Sequence, residues 1–164
     1  MNRIIGFCGY AQVGKDKAAE ALEAHRRLAF ADELKRRAAW ALGIAIEELE
    51  RRKVELRPFL VSLGATARSI NPYEWIRHVM YQVDRSILYP HNNLKVTDVR
   101  YLNEVEELYK RDATIFYVTR PGYGPANAEE ERTIAEILAK YSLPVIHNNG
   151  TEEELWKRVK DLTR

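Results

Sequence analysis

Residues 3–22 read RIIGFCGYAQVGKDKAAEAL, and the fold class turns on how this stretch is parsed. Ile4, Ile5, Phe7 and Cys8 form a short apolar run with the length and composition of a buried parallel strand. The run enters Gly9-Tyr10-Ala11-Gln12-Val13-Gly14-Lys15 and then an alanine-rich segment that reads as a helix. The spacing is G-x-x-x-x-G-K, with a strand before it and a helix after it, which is the context this motif requires. Gly9 and Gly14 allow a tight turn in which successive N–H groups, including those of Tyr10, Ala11, Gln12 and Val13, point inward as an anion nest. The helix start adds its unpaired donors and the positive end of its dipole. Lys15 supplies a point charge for the outer phosphates of a nucleotide. Where the usual motif has Ser or Thr for Mg²⁺, this chain has Asp16 and then Lys17. A carboxylate can also reach a hard cation, directly or through water, and Lys17 can offset its charge near polyphosphate.

The rest of the chain agrees with a single α/β domain. Its 164 residues suit one core, with 46% apolar and 30% charged residues. Strands are expected at residues 27–31, 94–99, 113–119 and 143–147, giving about five in all, in a parallel sheet with helices on both faces. Between them Ile76, Val79, Met80, Val83 and Ile87 share one helical face. Leu102, Val105, Leu108 and Tyr109 do the same, as do Ile134, Ile137, Leu138 and Tyr141. Thr151 with Glu154 forms a capping box before a last helix with Leu155, Trp156, Val159 and Leu162 on its apolar face. Residues 32–93 are read as a long, mostly helical segment, with Asn71-Pro72 opening a helix.

A parallel sheet places ligands beyond the carboxyl ends of its strands, which gathers residues 9–15, 32, 98–100, 120 and 148–150. Asp98 ends a strand pattern in the rough form of a Walker-B aspartate, a position for metal or water near phosphates. Arg68 follows Leu63-Gly64, where glycine allows close approach. Trp75 reads equally as core packing or as a platform near a base. Arg120 leaves its strand into a Gly/Pro-rich loop, a connection or a cover over the site. Asn148, Asn149 and Gly150 suit either base-edge contacts or plain turn chemistry.

The net charge of +2 gives no support for nucleic acid or a membrane surface. The only cysteine, Cys8, reads as buried filler in a reducing, intracellular setting, and no segment reads as a membrane span or signal peptide. His25, His78, His91 and His147 form no metal-ligand spacing.

Several stretches in this order resemble the phage-type deoxynucleoside monophosphate kinases and their bacterial relatives. They are residues 9–16, 30–35, Leu63-Gly64 with Arg68, Asn71-Pro72 with Trp75, residues 97–104, Thr119-Arg120-Pro121 and residues 146–151. The resemblance implies a three-layer P-loop NTPase fold with a nucleoside-monophosphate-binding helical segment over residues 32–93 and a small lid over about residues 121–130. It implies ATP and Mg²⁺ as cofactors and a deoxynucleoside monophosphate as acceptor, in the cytoplasm, or the host cytoplasm if the chain is phage-encoded. It leaves room for a homodimer. Lys15, Arg100 and Arg120 would be catalytic. Asp16 and Asp98 would hold the metal or its waters. Asp32, Lys35, Arg68, Trp75 and Arg100 would face the acceptor, and Lys17 and Asn149 would lie on the ATP side. The chain departs from the family at Lys17, where a hydroxyl residue is common, at Ala65-Thr66, and at residues 127–130. A kinase for another small molecule, such as dephospho-coenzyme A, and a slow nucleotide-hydrolysing switch are the alternatives.

Overall fold

The computed structural model describes residues 3–89 and 92–164. Five strands, β1 (Ile4–Cys8), β2 (Arg26–Leu28), β3 (Leu94–Val99), β4 (Thr114–Thr119) and β5 (Val145–His147), form one all-parallel sheet in the order β2-β3-β1-β4-β5. Helices cover both faces, so the fold is the α/β three-layer arrangement compatible with a P-loop NTPase. The helices are α1 (Lys15–Glu20), α2 (Phe30–Leu42), α3 (Ile46–Arg51), α4 (Lys53–Ile70), α5 (Ile76–Ile87), α6 (Leu102–Tyr109), α7 (Ala128–Lys140) and α8 (Glu152–Leu162). Among the described residues no helix is long and apolar enough to cross a membrane.

Alternation along β1 divides the core. Ile4 and Cys8 face a cluster with Val79, Val83, Val105, Leu108 and Ile134 from α5, α6 and α7. Ile5 and Phe7 face the other side, against Ala18, Leu155 and Val159 of α1 and α8. A third, smaller cluster of Ala38, Ala39, Leu49 and Leu60 joins α2, α3 and α4 into a helical arm. Trp75 fastens that arm to the sheet layer, its Nε1 donating to the Gly64 carbonyl at 3.3 Å.

Several boundaries differ from the sequence reading, each for a local reason. Strand β2 stops at Leu28, and Phe30 already opens α2, whose first amides are taken by a carboxylate from β3. Strand β5 begins only at Val145. Asn71 ends α4 rather than starting the next helix. Its Oδ1 accepts from Tyr73 N–H in a turn, and α5 starts at Ile76. The expected apolar faces hold in their centres and fray at their ends, with Ile87, Leu138 and Leu162 exposed. The capping box at Thr151 and Glu154 is present, both bonds made.

One irregularity positions the site. β1 and β3 pair Gly6 with Val96 but Cys8 with Val99, so β3 carries an extra residue and bulges there. Val96 and Val99, three apart, consequently face the same core cluster, and Asp98 is turned toward the start of α2. Lys95, earlier on the strand, caps the end of α1 through the Ala19 and Leu22 carbonyls at 3.0 and 2.9 Å.

Phe7 is fully buried, its ring 6.4 Å from that of Phe116. Phe7→Ala should therefore cost about 3–5 kcal/mol, read as a lowered midpoint in urea unfolding. A loss under about 1 kcal/mol would mean that the face against α1 and α8 is not packed as described.

Candidate functional site

The loop between β1 and α1 is held in shape by its glycines and by a neighbour from the far end of the chain. Gly9 has φ +143°, and a Cβ there would lie 2.5 Å from the Val118 carbonyl oxygen. Gly14 has φ +97°, with the Asn148 side-chain amide where its Cβ would be. Gln12 also takes a left-handed conformation, φ 63°, which is uncommon without glycine. Val13 is buried, and its carbonyl accepts from Asn148 Nδ2 at 2.9 Å. Asn148 is in turn seated by its own N–H on the Thr119 carbonyl at 2.8 Å. Among the described residues, Val13 N–H closes a tight turn on Tyr10, and the backbone N–H groups of Ala11, Gln12 and Gly14 to Lys17 donate to no protein acceptor. A loop with six such free donors can receive a polyanion.

Lys15 lies inside that turn. It is only 7% exposed, and Nζ donates to the carbonyls of Gly9 at 2.8 Å and Tyr10 at 2.6 Å. Burial, then the charge of Arg100, lowers its pKa from 10.5 to about 8. Cys8 beneath it is buried as expected, its thiol pushed up to about 12 chiefly by burial.

The β3–α6 junction supplies the next wall. The two Asp98 oxygens accept from the N–H groups of Phe30 and Ala31 at 2.8 and 2.9 Å, capping α2. Burial raises its pKa, against the pull of those two amides. Each oxygen keeps a free lone pair, so the carboxylate can still reach a cation directly or through water. Glu104, buried, accepts from the N–H groups of Arg100 and Tyr101 at 2.7 and 3.0 Å. Burial and then the Asp98 charge push it up to about 8. The Arg100 guanidinium makes no ion pair or hydrogen bond among the described residues, and Arg68 and Arg120 share that freedom. Arg68 instead lies over the Tyr101 ring and Arg120 over Tyr123, each with Cζ 4.6 Å from the ring centroid.

Other expected residues are engaged elsewhere. Trp75 is 4% exposed, with Arg37 over its ring at 5.5 Å, so it is core and not a platform for a base. Lys35 is bound to Glu50 at 2.6 Å, holding α3 on α2 inside the arm. Lys17 turns from the loop to Glu20 and Glu152 at 3.0 and 3.3 Å, and Asp32 pairs with Arg27 at 2.9 Å. Asn149 accepts from Arg158, leaving Asn148 as the asparagine that contacts the loop. Asp16 is exposed at the start of α1. Among the described residues no three His, Cys, Asp or Glu side chains gather to hold a metal, and His91 lies outside them. Mg²⁺ bound mainly by phosphate oxygens and water needs only one or two carboxylates, which Asp16 fits. The 121–130 segment is a loop as far as Asn127 and then the first turn of α7, fastened by Glu130, which accepts from Ala126 N–H at 2.7 Å. Glu104 and Glu130 carry no site role in the sequence reading, and Asn148 reads there as a base-edge or turn residue; all three act on backbone groups that no motif spacing reveals.

A cavity of about 1000 Å³ opens at the amino ends of β1 and β4, near Arg3, Arg111 and Thr163. It is across the molecule from the loop, at the end of a parallel sheet where ligands seldom bind.

No family model and no curated protein matches the chain. Among solved structures, the crystal structure of TT1252 from Thermus thermophilus is similar over 99% of this chain and 96% of that one, with TM-score 0.52 and 19% identity. At that identity the likeness is one of fold.

The Lys15 environment sets a pH dependence. Its folded pKa lies below the ordinary value, so its charge is lost as pH rises through about 8. Binding of inorganic triphosphate, followed by calorimetry, should weaken between pH 7 and 9, where a solvated lysine would still be charged. In the same range stability should gain rather than fall, because the unfolded chain there holds more protons on this residue. Triphosphate binding that stays flat to pH 9.5 would refute the Lys15 assignment.

Proposed function

We propose that the protein is an ATP-dependent kinase that transfers a phosphoryl group to a deoxynucleoside monophosphate. The observation that carries the reading is the turn from Ala11 to Lys17 around Lys15, most of its amides unpaired, with Arg68, Arg100 and Arg120 free of carboxylate partners.

Phosphoryl transfer asks the protein for position and charge rather than covalent chemistry. The loop amides and Lys15 hold the donor phosphates, and Asp16 and Asp98 would hold Mg²⁺ or its waters. Mg²⁺, when bound, offsets the charge of the donor phosphates. Arg68 and Arg100 hold the acceptor phosphate, since a planar guanidinium can grip two phosphate oxygens at once. Arg120, at the end of β4, faces the transferred group. A general base is not required, because a phosphate monoester is an anionic nucleophile near neutral pH. The deoxynucleoside identity of the acceptor rests on the resemblance in sequence, with thymidylate or deoxyguanylate the leading choices.

ADP release from ATP, measured with each deoxynucleoside monophosphate, its ribonucleotide counterpart and dephospho-coenzyme A, tests the reading. Stimulation by one deoxynucleoside monophosphate is expected, and stimulation only by dephospho-coenzyme A would keep the kinase core and change the acceptor. Release unaffected by any of them would favour the switch alternative. Lys15→Ala should reduce turnover roughly a hundredfold or more, the scale of one lost transition-state contact. Near-normal turnover in the folded variant would remove Lys15 from the donor site. Arg68→Lys should raise the acceptor KM far more than that for ATP, and an equal change in both would refute its role.

A further inference from the structure

Three elements meet on Tyr101. Its ring carries Arg68 of α4, 4.6 Å from guanidinium carbon to ring centroid. Its hydroxyl donates to Glu129 Oε1 at 2.9 Å, in the first turn of α7. Its own N–H donates to Glu104 Oε2, which fixes it as the cap of α6, one residue beyond Arg100. The tyrosine is thus anchored by backbone on one side and by hydroxyl on another, with its ring left to support an arginine from the helical arm.

The choice of a ring as support has a chemical consequence. Arg27, Arg36, Arg37, Arg52, Arg77, Arg111 and Arg132 are each paired with a carboxylate. Such a partner fills the N–H edge of the guanidinium and offsets its charge. A ring face holds the same group by its plane and leaves the N–H edge and the charge available. Arg68 is therefore held in place without being neutralised, and the seat that holds it is tied to the helix that follows the 121–127 loop.

We propose that Tyr101 is a positioning residue for the acceptor phosphate. It fixes Arg68 through its ring and links that arginine to α7 through its hydroxyl, so that the arm and the segment after the loop share one anchor. This rests on the proposed acceptor role of Arg68. Tyr101 touches neither substrate, and its influence runs through the arginine alone.

The test separates ring from hydroxyl and acceptor from donor. Tyr101→Leu and Tyr101→Met remove the ring, and the unbranched Met serves where Leu lowers folding. Either should raise the acceptor KM by roughly fivefold, the scale of one cation–ring contact, with the ATP KM unchanged. Tyr101→Phe keeps the ring and should restore the acceptor KM to within about twofold of the parent, since it loses only one hydrogen bond to an exposed carboxylate. In a cycle with Arg68→Ala, removal of the ring should add little once the arginine is gone. An acceptor KM unchanged in both ring-free variants, an equal rise for ATP and acceptor, or full additivity with Arg68→Ala overturns the inference. Monophosphate binding, measured by calorimetry on the parent, keeps the two readings apart. A parent that binds the monophosphate while the ring-free variants bind it equally well refutes the role of Tyr101 alone. A parent that binds none refutes the acceptor site and this inference with it.

Discussion

The structure depends on how closely backbone can approach backbone at the end of β1. Gly9 sits where any side chain would strike the Val118 carbonyl, and Gly14 sits against the Asn148 amide. That proximity lets the loop close on itself around the ammonium of Lys15, with most of its amides unpaired. Unsatisfied donors are normally a cost to a fold. Here they stand at the carboxyl end of the sheet, where the start of α1 adds further donors and the dipole of the helix has its positive end.

The remaining polar groups near the loop share a pattern, in that carboxylates are spent on backbone and arginines are left unpaired. Asp98 caps α2, Glu104 holds the N–H groups of Arg100 and Tyr101, and Glu130 holds Ala126. The acids thus fix the positions of helix starts, while their charges still act on Arg100 and Lys15. Arg68 and Arg120 rest on tyrosine faces, and Arg100 stands free. Arg100 sets its charge near Lys15, in a chain whose net charge is only +2. The same charge accounts for part of the lowered pKa of Lys15, second to its burial.

The arm of α2, α3 and α4 has its own small apolar cluster and joins the sheet layer through Phe30, through the cap of α2 on Asp98 and through side-chain contacts. Trp75 bonds to the Gly64 carbonyl, Arg37 joins Glu33 of α2 to Glu74 before α5, and Tyr101 supports Arg68. Two of these three contacts use an aromatic side chain: the indole N–H of Trp75 on a carbonyl, and the Tyr101 ring under an arginine. Such contacts hold an orientation without demanding the close fit of a large core.

The opening strand, the glycine spacing, the lysine and the parallel α/β class could be read from sequence, because each depends on residues adjacent in the chain. β1 and β3 were bounded correctly for the same reason, with strand composition and breakers lying next to one another. The role of Asp98 could not be read, since a strict two-residue alternation ignores the bulge that turns it to α2. Trp75, Lys35 and Lys17 carried the right chemistry for ligands, but packing assigned each a partner within the protein. Asn148 and Asn149 are neighbours of identical type, and only the tertiary structure brings one to Val13, 135 residues away, and gives the other to Arg158. Local sequence decides which groups are available near the loop. Which of them remain unpaired depends on contacts between segments far apart in the chain, and these are formed only when the sheet and its helices are assembled.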